Sequence, residues 1–243
     1  MAIDLHKYAN PTRFLRLTGV IFPWSVGVTV VLLLTGLYLG LIVSPPDYQQ
    51  GESVRIMFVH VPASWMALMI YSSMAISSAA GLIWKHPVAD LSAKAAAPIG
   101  ACFTFLALVT GSLWGQPMWG TYWVWDARLT SMLILLFLYL GYMAIWESFD
   151  DQSKAAKAAA ILVLVGAINI PIIKFSVDWW NTLHQPASVA TLQGPKIHSS
   201  ILTPLLVMGL AYTSLFVSVF IIRVKAEILG RRLRILRINQ LQE

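Results

Sequence analysis

Residues 129–146 read Leu-Thr-Ser-Met-Leu-Ile-Leu-Leu-Phe-Leu-Tyr-Leu-Gly-Tyr-Met-Ala-Ile-Trp, an unbroken run with no charge. One helix needs about 20 apolar residues to cross the hydrocarbon of a bilayer. Five more runs of this kind are present: Leu17–Val43, Phe58–Trp84, Ala95–Leu113, Ala158–Phe175 and Ile201–Ile222. The chain is 58% hydrophobic and 12% charged, with mean hydropathy +0.70. Six spans consume most of its 243 residues and leave no room for a soluble domain. Helices satisfy their own backbone hydrogen bonds in lipid. The expected class is therefore all-α: one polytopic membrane bundle over residues 1–243, with short loops. The first run is too long for a signal-peptide core and reads as an uncleaved span.

An even number of spans puts both termini on one side. Thirteen of the 17 basic residues fall on that side: Lys7, Arg13, Arg16, Lys85, Lys94, Lys154, Lys157 and six from Arg223 to Arg237. Arg55, Arg128, Lys174 and Lys196 fall on the other. The positive-inside rule then makes the termini cytoplasmic. Loops 44–57, 114–128 and 176–200 face outward, and 223–243 reads as a basic cytoplasmic tail. Such a tail suits anionic lipid or a cytoplasmic partner, though it also serves simply as a topology signal.

Just before the quoted run, residues 119–126 read Trp-Gly-Thr-Tyr-Trp-Val-Trp-Asp. Three Trp and one Tyr in seven positions exceed what a turn needs. Lone interfacial tryptophans such as Trp24, Trp84 and Trp146 read as an aromatic belt. A tandem cluster at 119–126, with Arg128 beyond it, reads instead as a surface for a flat aromatic ligand. Asp126 also suits the N-cap of the helix that follows. Gly111 and Gly115 read as span packing.

The single cysteine, Cys102, excludes an internal disulfide and thiolate metal sites. No phosphate-loop sequence or catalytic constellation is present, so the chain is expected not to be an enzyme, and any ATPase belongs to a partner subunit.

Of five histidines, His6 and His86 fall on the cytoplasmic side, and His60, His184 and His198 on the outer side. Two share a local sequence, His60-Val-Pro-Ala-Ser64 and His184-Gln-Pro-Ala-Ser188. Proline is tolerated in a helix's first turn, so each imidazole is expected at a stiff helix entrance. Two such rings on one face can point at a common metal. Zinc wants four ligands, and Asp126 and His198 would have to complete the set. A porphyrin iron needs only two axial nitrogens, with Trp faces packing on the ring and Arg pairing with propionates. His198 by itself reads as a solvated interfacial residue.

With those residues in place, the chain resembles the tryptophan-rich haem-handling membrane proteins. Trp-Gly-x-x-Trp-x-Trp-Asp is matched at every fixed position, with outer-face histidines on both sides. Length, span number and the two His-x-Pro sites narrow the resemblance, over the whole chain, to the CcmC (haem exporter C) family of bacterial cytochrome c maturation. That resemblance implies haem b held between axial His60 and His184. The implied contacts are Trp114, Trp119, Gly120, Trp123, Trp125 and Asp126, with Arg55 and Arg128 toward the propionates. It implies delivery to the covalent haem chaperone CcmE. It also implies assembly with the ATPase CcmA, the membrane subunit CcmB and the small protein CcmD, in a bacterial inner membrane whose outer face is periplasmic. Two other classes compete: a permease subunit moving a small molecule without stable haem, and a scaffold or quinone-site protein. The mid-span residues are mostly Leu, Val, Ala and Ile, which argues against a polar-solute path.

Overall fold

A computed structural model describes residues 11–186, 188, 189 and 194–240. Among them are seven α-helices: α1 Pro11–Tyr38, α2 Met57–Trp84, α3 Pro87–Trp119, α4 Ala127–Ser148, α5 Gln152–Gly166, α6 Asn169–Trp179 and α7 Ser199–Gln240. A π-helical turn, Leu39–Val43, ends α1, and a 3₁₀ turn, Glu52–Ile56, leads into α2. The only strand-like pairing among the described residues is one isolated bridge, Asp47 to Gly51. Six spans are long and apolar enough to cross a membrane, with α5 and α6 sharing the fifth. All six apolar runs of the sequence fall within them.

Three boundaries differ from the sequence reading. The fifth span is not one helix. Its ladder breaks at Ala167 and Ile168, where Ile168 N–H donates three residues back to the Val165 carbonyl at 3.3 Å. The buried Asn169 side chain spans the break's edge, donating to the Ser131 carbonyl at 2.8 Å. Next, α3 does not stop near Leu113 but runs to Trp119, so the aromatic ribbon begins on a helix rather than in a loop. Finally, α7 does not end at Ile222. It continues as one 42-residue helix, about 63 Å long at 1.5 Å per residue, and carries the basic residues of the expected tail.

Small residues let the helices approach closely, as in membrane bundles generally. Gly100 lies against the Tyr139 ring, and Gly166 against the Tyr71 hydroxyl. Tyr71 and Tyr139 meet edge to face at 5.1 Å, and the Tyr139 hydroxyl donates to the Ala67 carbonyl at 2.8 Å. This core ties α2, α3, α4 and α5 together. α1 is the least buried span and is held mainly by α7. The Thr29 hydroxyl lies 2.9 Å from that of Ser214, and Ser218 donates to Ser25 at 3.0 Å. Trp24 and Trp84 are exposed, as a belt requires, but Trp146 is not a belt residue. It is 3% exposed and packs against Tyr142, with the Lys94 ammonium 4.8 Å from its ring centre. Lys94 in turn pairs with Glu227 at 3.0 Å.

The start of α1 and the far end of α7 meet, with Arg232 donating to Thr12 at 3.3 Å. At the opposite end of the bundle are the C-terminal turns of α3 and α6, the N-terminal turns of α2 and α4, and the non-helical residues 180–186 and 194–198.

Candidate functional site

His60 lies in the first turn of α2. Its Nδ1 is 2.9 Å from the Ala107 carbonyl and 3.1 Å from the Thr110 hydroxyl, both on α3. The ring can lie flat on α3 because residue 111 is glycine: a Cβ there would sit 2.8 Å from His60 Cε1. Gly111 is therefore more than general span packing. The Trp114 ring stands edge to face with His60 at 5.7 Å, and its indole N–H donates to the Gln50 side chain at 3.0 Å.

His184 is reached differently. No helix follows it within the described residues before α7, so the shared His-x-Pro-Ala-Ser sequence does not produce two equivalent helix entrances. Around His60 the sequence is helical, with Ser64 donating back to the His60 carbonyl at 3.0 Å. Around His184 it is loop: the His184 amide donates to the Thr182 hydroxyl at 2.9 Å, and the Ser188 carbonyl accepts from Lys196 N–H at 2.8 Å. The physical reason is context. Neither proline begins a helix: α2 starts at Met57 and carries Pro62 inside it, and the described residues after Pro186 do not continue as a helix before α7, because propagation depends on the flanking residues.

The fixed point for His184 is Asp126. This carboxylate is 8% exposed. Its Oδ1 accepts from the Leu129 amide at 2.8 Å, capping α4, while its Oδ2 is 2.9 Å from His184 Nδ1. One side chain thus starts the helix and orients the imidazole. The Trp119 ring stands edge to face with His184 at 4.8 Å. Gly115 makes room for that indole, since a Cβ would lie 2.8 Å from Trp119 Cε3. Gly120 closes α3 with a left-handed φ of 77°, which favours glycine on steric grounds. Its place in the motif is explained by the turn.

Burial lowers the proton affinity of His184 below its ordinary value, the Asp126 hydrogen bond and charge oppose this, and Arg128 adds to the lowering. The neutral ring donates Nδ1–H to the carboxylate and leaves the Nε2 lone pair for a ligand. His60, with Nδ1 committed to α3, has the same spare atom. The two histidines are near enough for their charges to interact, and Arg128 acts on both.

Beyond this pair, Trp123 and Trp125 meet edge to face at 5.4 Å, with Trp125 75% exposed. The buried Trp123 indole nitrogen has no hydrogen-bond partner among the described residues. Arg128 Nε donates to Ser176 on α6 at 3.1 Å, with Asp126 and Asp178 as its nearby charges. Arg55 is already engaged: it pairs with Glu52 and donates to the Leu41 carbonyl at 2.7 Å. His198 is exposed at the start of α7, its Nδ1 2.9 Å from the Ser200 hydroxyl. Among the described residues no three His, Cys, Asp or Glu side chains come together to hold a metal. The zinc set of His60, His184, Asp126 and His198 is therefore not formed. Ala107, Thr110, Gln50, Ser176 and Asp178 were not singled out in the sequence. Their types are common, and only folding brings them to the site.

These features define a multi-pass helical membrane protein with two anchored imidazoles and a tryptophan rim at one end of its bundle. Residues 4–239 match the profile of the family described as Heme exporter protein C (CcmC). The chain is 60% identical to the Heme exporter protein C of Bradyrhizobium diazoefficiens over 98% of its own length and 89% of that protein's. It is 48% identical to the Haemophilus influenzae protein of the same name, over 93% and 92%. It is also 50% identical to a putative cytochrome c biosynthesis ccmC-like mitochondrial protein of Marchantia polymorpha, over 84% and 87%. The chain belongs to the Heme exporter protein C family.

Proposed function

We propose that this chain is the haem-holding subunit of a haem export system for cytochrome c maturation, and that haem b is its cargo, bound between His60 and His184. Family membership supports the role in haem export. The observation that carries the binding site is the matched anchoring of the two rings. Each histidine has Nδ1 tied down, a Trp from the end of α3 against its ring, and Nε2 left over. Two imidazoles, with no group of three His, Cys, Asp or Glu side chains among the described residues, would suit an iron already held by a macrocycle.

Bound haem would supply an iron with affinity for imidazole nitrogen, which His60 and His184 would hold, and the surrounding residues orient those two rings. Asp126 fixes the His184 tautomer, as outer-shell carboxylates do for ligating histidines. Trp114 and Trp119 limit rotation of the two rings. Trp123 and Trp125 form the apolar rim against which the macrocycle packs. Arg128 keeps Ser176 on its Nε and offers its remaining donors to a propionate. Arg55 serves the other propionate by exchanging Glu52 for it.

On this reading the outer face is the periplasmic side of a bacterial inner membrane and the basic termini are cytoplasmic. The exposed edge at Trp125 is where the covalent chaperone CcmE reaches a vinyl group. CcmA supplies ATP hydrolysis, and CcmB and CcmD complete the assembly. The test is purification in mild detergent followed by a visible spectrum. A Soret band is expected. Its absence from protein purified with the whole system co-expressed would favour a permease subunit or scaffold.

A further inference from the structure

The two histidines differ in what holds their Nδ1. We propose that the pair is unequal by construction: Asp126 makes His184 the retained ligand, and His60 is the ligand that lets go when haem is transferred. This rests on the proposed axial ligation by both rings.

At His184 the acceptor is a carboxylate, 2.9 Å away. Hydrogen bonds to an ionised acceptor are roughly twice as strong as neutral ones. The carboxylate is also rigid. Its other oxygen is locked to the Leu129 amide, and it is almost fully buried, where a weakly screened field acts more strongly. Its effect is to push electron density onto the imidazole and strengthen Nε2 as a donor. Arg128 and the start of α4 withdraw some of that charge without removing it.

At His60 both acceptors are neutral and both are shared. The Ala107 carbonyl belongs to the α3 ladder, and the Thr110 hydroxyl itself donates to the Leu106 carbonyl at 2.6 Å. The same Nδ1 faces both. His60 is thus well positioned but only weakly polarised. Chain connectivity points the opposite way: His60 sits on a packed helix, whereas His184 sits on a loop. If backbone rigidity decided the order, His184 would release first. The geometry sets the two effects against each other, and the Asp126 anchor removes most of the loop's advantage.

Transfer then begins at one bond. The iron–Nε2 bond to His60 breaks, and the lone pair stays on that imidazole. The vacated position takes a lone-pair donor from the receiving protein, such as an imidazole or phenolate. No electron changes hands in the exchange, and His184 keeps the haem until the new bond has formed.

The test uses the full-length protein co-expressed with its system and purified without added imidazole. His60→Gly is expected to retain at least roughly ten times more haem than His184→Gly, the scale on which outer-shell contacts tune a metal site. Asp126→Asn keeps a cap oxygen for Leu129 but turns an amide donor toward His184 Nδ1, so it removes both the charge and the acceptor that fixes the tautomer. It is expected to raise the haem midpoint potential, because the anionic push favours the ferric state. Combined with His60→Gly, it should cut haem retention to the His184→Gly level. Thr110→Val is expected to move the potential less than Asp126→Asn does. Equal retention in the two Gly variants, or greater retention in His184→Gly, would overturn the proposal. So would an unchanged potential in Asp126→Asn. Failure of the underlying ligation reads differently: the unsubstituted protein itself would then lack a bis-histidine spectrum.

Discussion

Asp126 joins two events that lie far apart in sequence. One oxygen caps α4 through Leu129 at 2.8 Å and the other fixes His184 at 2.9 Å. The fold of the fourth span and the aim of the candidate ligand therefore share a single side chain.

Substitution separates the two roles. Asp126→Ala removes both and is expected to cost about 1 kcal/mol of stability for the lost cap. It should also weaken haem binding by about 10–100-fold for the lost anchor. Asp126→Asn should keep most of the stability. Thermal unfolding in detergent, together with haem content, measures each component.

The glycines of α3 give a sharper steric test. Gly111→Ala puts a methyl 2.8 Å from His60 Cε1, and the ring must leave its seat on Ala107 and Thr110. A roughly tenfold loss of haem is expected, on the scale of a lost supporting contact. Gly115→Ala should act the same way through Trp119. Gly27→Ala, where nothing lies within 4 Å, should change nothing. Equal haem in all three variants would remove the steric argument.

The ionisation of His184 gives a pH dependence in the haem-free protein. Burial, the largest cause, lowers its proton affinity below the ordinary pKa of 6.5. The unfolded chain therefore takes up this proton first as pH falls. The stability contribution is full above about 6.5 and declines progressively below it. The melting temperature should be flat from about pH 8 to 7 and fall below pH 6.5, and His184→Gln should make that fall shallower. An equally steep fall in His184→Gln would assign the effect to other groups.

Hydropathy made the six spans legible, because a bilayer-length apolar run admits few structures. Asp126 was likewise recognisable as a cap, whereas the end of α3 was not: the run ending at Leu113 continues as helix to Trp119. What stayed hidden depends on partners distant in sequence. The repeated His-x-Pro-Ala-Ser looked like two matching frames, yet among the described residues only the copy at His60 lies in a helix. Trp146 looked like any interfacial indole until Lys94 and Tyr142 enclosed it. The role of Gly111 is invisible without the His60 ring beside it. The break at Ala167 is flanked by Gly166, which ends α5, and by Pro171 in the first turn of α6, a local signal that the continuous apolar run masked.

The exposed part of the ribbon should act on transfer more than on binding. Trp125 is mostly solvent-exposed, whereas Trp119 touches His184. Trp119→Ala is expected to lower haem on this protein. Trp125→Ala should lower that haem less than Trp119→Ala does, and reduce covalent loading of the chaperone at least as much. Haem per protein on both partners after co-expression measures this, and normal loading with Trp119, Trp123 and Trp125 all replaced by Ala would return the ribbon to an interfacial belt.

Membrane orientation is open to a direct assay. A reporter active only outside the cytoplasm should work in loops 44–57 and 176–200. It should be silent after Lys85, after Asp151 and beyond Gln240. An active fusion beyond Gln240 would reverse the assignment of faces.

The most direct measurement of the central claim is the visible and electron paramagnetic resonance spectrum of the purified protein beside that of the double variant His60→Ala, His184→Ala. The account predicts a low-spin bis-histidine haem in the first and its loss in the second, with added imidazole restoring part of the signal. A full bis-histidine spectrum in the double variant would contradict the account and move the search for ligands to His198.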